Sequence, residues 1–173
     1  MILKGLKRNA IQKSIESHLE GRKISSVSIS TLHTLAIIID ASYEINRSSL
    51  IRFAEDLGVS KDRLHILGYK GDNELEDDAY ILHYNDKSFG VKGMVKSSSL
   101  LDFLKRDYDV LINFYEEDKL ELNYVAAASK AKFKVGFSKV DHRINDLIIG
   151  ASVHNPNLFM KELKKYLKIL QVL

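Results

Sequence analysis

The run Leu35-Ala36-Ile37-Ile38-Ile39 is apolar without alternation and ends on Asp40. A strand that is apolar on both faces has to be covered on both faces. That is the situation of a central strand in a parallel sheet held between helices. The residues that follow agree with it. Asn46 offers a helix cap, Leu50, Phe53, Ala54 and Leu57 recur at helical spacing, and Gly58 closes the helix. Leu64-His65-Ile66-Leu67-Gly68-Tyr69 is a second strand. Strand, helix and strand in this order form a right-handed parallel crossover.

The same alternation continues along the chain. A short strand is expected over Tyr80–Tyr84, with no helix between it and Tyr69. Residues 88–95 read as a short edge strand or a loop. Ser97 to Ser99 cap a helix carrying Leu100, Leu101 and Leu104. Val110–Phe114 is another buried strand, Leu120–Lys130 a helix with the small stretch Ala126–Ser129, and Phe133–Phe137 and Leu147–Ile149 are further strands. Asn155-Pro156 starts a last helix, cap then first turn, with Phe159, Leu163, Tyr166, Leu167 and Leu170 on one side. Before all of these, Leu3, Leu6, Ala10, Ile11, Ile15 and Leu19 mark an amphipathic helix over residues 2–20, and a polar connector fills 22–32. The expected fold is α/β. It is a three-layer Rossmann-like sandwich with a mostly parallel sheet of about five or six strands, an N-terminal amphipathic helix and a C-terminal helix. The expected division is a basic helix over 1–23 and one domain over 24–173.

Several function classes are excluded by composition. The chain has no Cys, so thiolate nucleophiles, disulfides and Cys-based zinc sites are out, which fits a reducing cytoplasm. No apolar run approaches a transmembrane span, and the basic N-terminus lacks the apolar core of a signal peptide. A bacterial cytoplasmic location is the expectation, peripheral to a membrane or a ribonucleoprotein if the basic helix docks there. The net charge of +3 is too mild to imply nucleic acid, but it is unevenly spread. Both termini are basic, and the loop around Asp72, Glu74, Glu76, Asp77 and Asp78 is acidic.

In a doubly wound fold ligands bind beyond the C-terminal ends of the strands. After the first strand comes Asp40-Ala41-Ser42-Tyr43-Glu44. A dinucleotide site needs glycines here, because only glycine lets backbone amides close on a pyrophosphate, and none is present. Asp40 remains as a carboxylate at a strand end, either a ligand-binding group or a local cap. The densest polar cluster is Ser138 to Asp146, from which Ser138, Asp141, His142, Arg143 and Asp146 are candidate binding residues. No glycine-flanked elbow presents Ser138 as a nucleophile, and a polar turn pinned to its surroundings explains the same composition. No His is spaced for a metal site, and neither a metal nor a cofactor is expected. Lys4, Lys7 and Arg8 on the first helix are the remaining candidates. They suit a protein partner, RNA or an anionic membrane surface, unless the helix docks on its own sheet.

Two resemblances accompany these residues. Asp109-Val110-Leu111-Ile112-Asn113-Phe114, Ala126–Ser129 and Lys134-Val135-Gly136-Phe137 resemble, in this order, the acceptor-side half of lipopolysaccharide heptosyltransferases, which are GT-B glycosyltransferases. The family's glycine-rich turn and early catalytic acid have no counterpart, and its sugar nucleotide sits mainly in a second half. The resemblance therefore implies a degenerate or partner-dependent half-domain. More of the chain is similar to a family of uncharacterised bacterial proteins. This similarity runs through Lys132–Ser138, Asp141, Arg143, Asn145, Asp146 and Leu147 to the tail Lys165–Leu170, and it implies no activity. The leading expectation is a non-catalytic binding or adaptor domain that contacts a protein partner or assembly through the basic helix and the loops 69–79 and 137–146. A glycosyltransferase half, with Asp40, Glu116 and Asp141 in one cleft, and an RNA- or ribosome-associated protein using both basic termini stand as alternatives.

Overall fold

A computed structural model describes residues 1–22, 29–44, 46–76 and 78–173. Most of the polar connector expected over 22–32, and Asp77 of the acidic loop, lie outside the described residues. Six strands form one sheet: β1 (Leu35–Asp40), β2 (Leu64–Tyr69), β3 (Ile81–Tyr84), β4 (Val110–Phe114), β5 (Phe133–Phe137) and β6 (Leu147–Ile149). Every pairing is parallel, in the order β3-β2-β1-β4-β5-β6. This is the doubly wound arrangement that the strand–helix–strand reading implies. The helices are α1 (Ile2–Gly21), α2 (Arg47–Asp56), α3 (Ser98–Lys105), α4 (Leu120–Ala128) and α5 (Pro156–Ile169).

The period-2 geometry of a strand sends the β1 side chains to two separate cores. Leu35, Ile37 and Ile39 face a core closed by Leu50 and Phe53 of α2 and by Phe159, Leu163 and Leu167 of α5. Ala36 and Ile38 face the other core, closed by Ile11 and Ile15 of α1, Leu100 and Phe103 of α3, and Leu122, Val125 and Ala126 of α4. On the first face Phe159 stacks on Phe137 at 4.5 Å and meets Phe114 edge-on at 5.5 Å. The basic α1 and the basic α5 therefore cover opposite faces of the sheet.

Helix starts follow local chemistry. Asn46, Ser97 and Asn155 each accept a hydrogen bond from a backbone N–H in the first turn of α2, α3 and α5. The described residues of the link from β2 to β3 form no helix, and Asp78 caps its end by accepting from the N–H groups of Tyr80 and Ile81. Residues 88–95 are a loop rather than a strand, pinched by a single bridge between Phe89 and Val95. Within it Gly93 has φ +72° and lies so close to α1 that a Cβ would stand 3.0 Å from the backbone of Ala10 and Ile11.

Lys134 of β5 is 1% exposed and points under α4. Its ammonium donates to the carbonyls of Ala126 and Ala127 at 2.7 and 3.0 Å, closing the C-terminal end of that helix. Beside it Asn113 of β4 donates to Asn145 at 2.7 Å, and Gly136 leaves the space that Asn145 occupies.

Candidate functional site

The strand order reverses between β1 and β4, so the crevice beyond their C-terminal ends is where this architecture takes a ligand. It is a cleft of about 340 Å³ lined by Asp40, Tyr43, Phe114, Glu116, Lys139 and His154, among others. Asp40, the last residue of β1, is 3% exposed. One of its oxygens accepts from the Ser42 N–H at 3.1 Å and from the Ser42 hydroxyl. The other accepts from Lys119, which pairs also with Glu117 at 3.1 Å. Lys119 caps α4, where a cation opposes the helix dipole. Burial also disfavours its charge, yet the Asp40 and Glu117 carboxylates outweigh burial and raise its pKa.

Tyr43 donates to Glu117, and its ring lies 5.6 Å from the Lys119 ammonium. That hydrogen bond raises the phenol's pKa and, together with Lys119, lowers that of Glu117. Glu116 accepts from the Ser152 hydroxyl at 3.2 Å and lies 3.7 Å from Lys139. Asp40, Glu116 and Glu117 thus each meet a lysine of the protein itself.

The backbone of the first β-to-α turn is occupied in the same way. The Ala41 N–H donates to the Tyr69 carbonyl at 2.8 Å, the Ser42 N–H to the Asp40 carboxylate, and the Tyr43 N–H to the Asp40 carbonyl at 3.3 Å. These are the amides that a phosphate-binding turn keeps pointed at its ligand.

The candidates from the β5–β6 loop do not join this crevice. Asp141 accepts from the Arg143 N–H at 3.0 Å and from the Arg143 guanidinium. The guanidinium continues to both oxygens of Glu16 on α1 at 2.8 and 3.0 Å. These contacts lower the pKa of Asp141 and of Glu16 and raise that of Arg143. Asp146 accepts from Arg22 at the end of α1 and from the Lys134 N–H at 2.8 Å, and Arg22 donates to the Ile144 carbonyl at 2.6 Å. His142 Nε2 lies 2.6 Å from the Ser138 carbonyl, so Ser138, His142 and Asp141 do not align as a nucleophile and its base. The loop clamps the C-terminal half of α1 to the sheet. The expected single cleft with Asp40, Glu116 and Asp141 is corrected accordingly: Asp40 and Glu116 share it, and Asp141 is turned towards α1 by its contacts with Arg143.

Lys4, Lys7 and Arg8 lie on the other half of α1. That half carries Ile2, Leu3 and Leu6 with 81%, 64% and 53% of their surface exposed, whereas Ile11 and Ile15 are buried. Lys7 donates to the Asp86 carbonyl. Leu3, Lys4 and Lys7 line a shallow groove of about 320 Å³ with Asp72, Val91 and Lys96. Among the described residues, no group of three His, Asp or Glu side chains is arranged to hold a metal ion. No helix among them is long and apolar enough to cross a membrane.

A family model matches residues 7–170, which is nearly the whole of this architecture, from Lys7 of α1 to the end of α5. The chain belongs to the family of unknown function DUF6913. No curated protein and no solved structure matches it. Membership agrees with the similarity to uncharacterised proteins, and nothing among the comparisons adds to the heptosyltransferase resemblance.

Sequence reasoning missed Lys119, Glu117 and Tyr43. The one local signal was a lysine directly before an unusually apolar helix, Leu120–Ala128, a place where a cation needs acidic neighbours.

Proposed function

We propose that this DUF6913 chain is a non-catalytic α/β binding or adaptor domain of the bacterial cytoplasm, whose contact surface is the outer half of α1 with the 89–96 loop beside it. The observation that carries this reading is the state of the first β-to-α turn. The amides of Ala41, Ser42 and Tyr43 are consumed by the protein's own acceptors, and Asp40 is neutralised by Lys119 and Ser42. A nucleotide phosphate entering there would have to displace these bonds and meet the carboxylates of Asp40, Glu116 and Glu117. The outer half of α1 is the opposite case. It keeps large apolar side chains in water, which a chain with no use for them buries or replaces.

One observation favours a second reading, a degenerate or partner-dependent glycosyltransferase half: Asp40 and Glu116 do line a common cleft. RNA binding through both basic termini draws less support, since α1 and α5 cover opposite faces of the sheet.

A thermal-shift panel of nucleotides and sugar nucleotides tests the first reading against the second. The binding-domain reading expects no saturable stabilisation. A saturable rise in melting temperature that Asp40→Asn and Glu116→Gln abolish would overturn it in favour of the second.

A further inference from the structure

We infer that the outer half of α1 and the 89–96 loop form a docking surface for an anionic lipid bilayer. This inference rests on the reading of that half-helix as the contact surface, and it names the partner. Ile2, Leu3 and Leu6 on the helix are exposed, and so are Val91 and Met94 on the loop, at 50% and 63%. The two segments act as one surface. Leu3 and Val91 line the same groove, and Gly93 fixes the loop against the backbone of Ala10 and Ile11.

The charges carried by the two segments themselves are all of one sign. Lys4, Lys7, Arg8 and Lys13 lie on the helix and Lys92 and Lys96 on the loop, and neither residues 1–15 nor 89–96 contain an acid. The neighbouring acids are Asp72, Glu74 and Asp86. Glu74 is paired with Lys87, Asp86 accepts from the Tyr69 hydroxyl, and Asp72 and Asp86 line the groove beside Lys4, Lys7 and Lys96. An apolar patch ringed by cations matches the boundary between acyl chains and acidic headgroups.

The same features argue against the other occupants. A two-fold contact of this surface with a second copy would bring its cations face to face. RNA would gain no exposed stacking ring, because residues 1–15 contain no aromatic side chain and Phe89 of the loop is buried.

The test is co-sedimentation of the full chain with vesicles of phosphatidylcholine alone and of phosphatidylcholine with phosphatidylglycerol. Binding is expected only to the second, and it should weaken as salt is added. Leu3→Glu/Leu6→Glu should abolish it. Arg8→Glu/Lys92→Glu should reduce it more than tenfold, since each cation near an anionic surface is worth about fivefold. All four positions are exposed, so both variants should melt as the wild type does. Equal binding to neutral vesicles, or no binding to either, overturns the inference. So does a dimer, or an RNA complex, that Leu3→Glu/Leu6→Glu disrupts, although either would leave the contact-surface reading standing. That reading fails separately, through a saturable ligand in the Asp40 cleft.

Discussion

Replacing Lys134 with Met should remove a pH dependence of stability that the wild type carries. Lys134 is almost wholly buried, and burial is the main force on its charge. The Arg22 guanidinium adds to that force and Asp146 opposes it, and the ammonium falls from 10.5 to about 7. The shift corresponds to about 5 kcal/mol of preference for the neutral amine in the folded state. Below pH 7 the side chain is protonated folded and unfolded alike, so the folded protein bears this cost in full. Between pH 7 and 10.5 the unfolded chain binds the extra proton, and wild-type stability rises by about 1.4 kcal/mol per pH unit. Met carries no proton and has no such slope. Against this, Met leaves the Ala126 and Ala127 carbonyls without their donor, a pH-independent loss of about 1–3 kcal/mol. Urea unfolding of both proteins from about pH 6 to about pH 9 reads the difference. Lys134→Met should compare best with the wild type at the acid end and lose ground steadily above pH 7. A difference that stays constant over this range would refute the reasoning. It would mean that the ammonium remains charged, held by the carbonyl end of α4.

Further predictions follow from single contacts. Ile15→Ala should cost about 2–5 kcal/mol, because it empties a buried site, while Leu6→Ala on the same helix should stay within about 0.5 kcal/mol; equal losses in urea midpoints would contradict a helix docked over only half its length. Asp109 is buried, which alone would raise its pKa, but Lys132 and the donors of His33 and Thr34 hold it down at about 2. Its contribution, about 2 kcal/mol, is present above pH 3.8 and lost as pH falls through 2, so Asp109→Asn should destabilise at neutral pH and flatten acid unfolding in a circular-dichroism titration. Gly136→Ala would place a Cβ 2.5 Å from the Asn145 amide and should cost about 1–3 kcal/mol, with partial recovery in Gly136→Ala/Asn145→Ala; an unchanged melting temperature in the single variant would count against this packing.

The fold was legible where neighbouring residues decide the structure. The unbroken apolar run of Leu35–Ile39 required cover on both faces, and Asn46, Ser97 and Asn155 announced their helices by capping chemistry that acts over one turn. The apolar residues of α1 misled. Leu3, Leu6, Ile11 and Ile15 fit a helical spacing, but Leu6 and Ile15 stand half a turn out of phase, so one stripe on paper is two faces in space. The candidate crevice was legible by position, from Asp40 and the missing glycines. The pairing of Asp40 with Lys119 was not, because the two meet only after β4 has been laid beside β1. The β5–β6 loop offered in sequence both candidate binding residues and a pinned polar turn. That its anchor is Glu16 and Arg22 of α1 depends on a tertiary contact no local pattern encodes.

The central claim, that the outer half of α1 meets the partner while the first-turn amides and Asp40 of the strand-end crevice are bonded within the protein, is tested most directly by amide-resolved NMR of the full chain titrated with anionic bicelles. Shifts should concentrate in residues 2–8 and 90–94 and leave Ala41–Tyr43 and Glu116–Lys119 in place. Shifts centred on the crevice with α1 silent, or no shifts anywhere, would contradict the account.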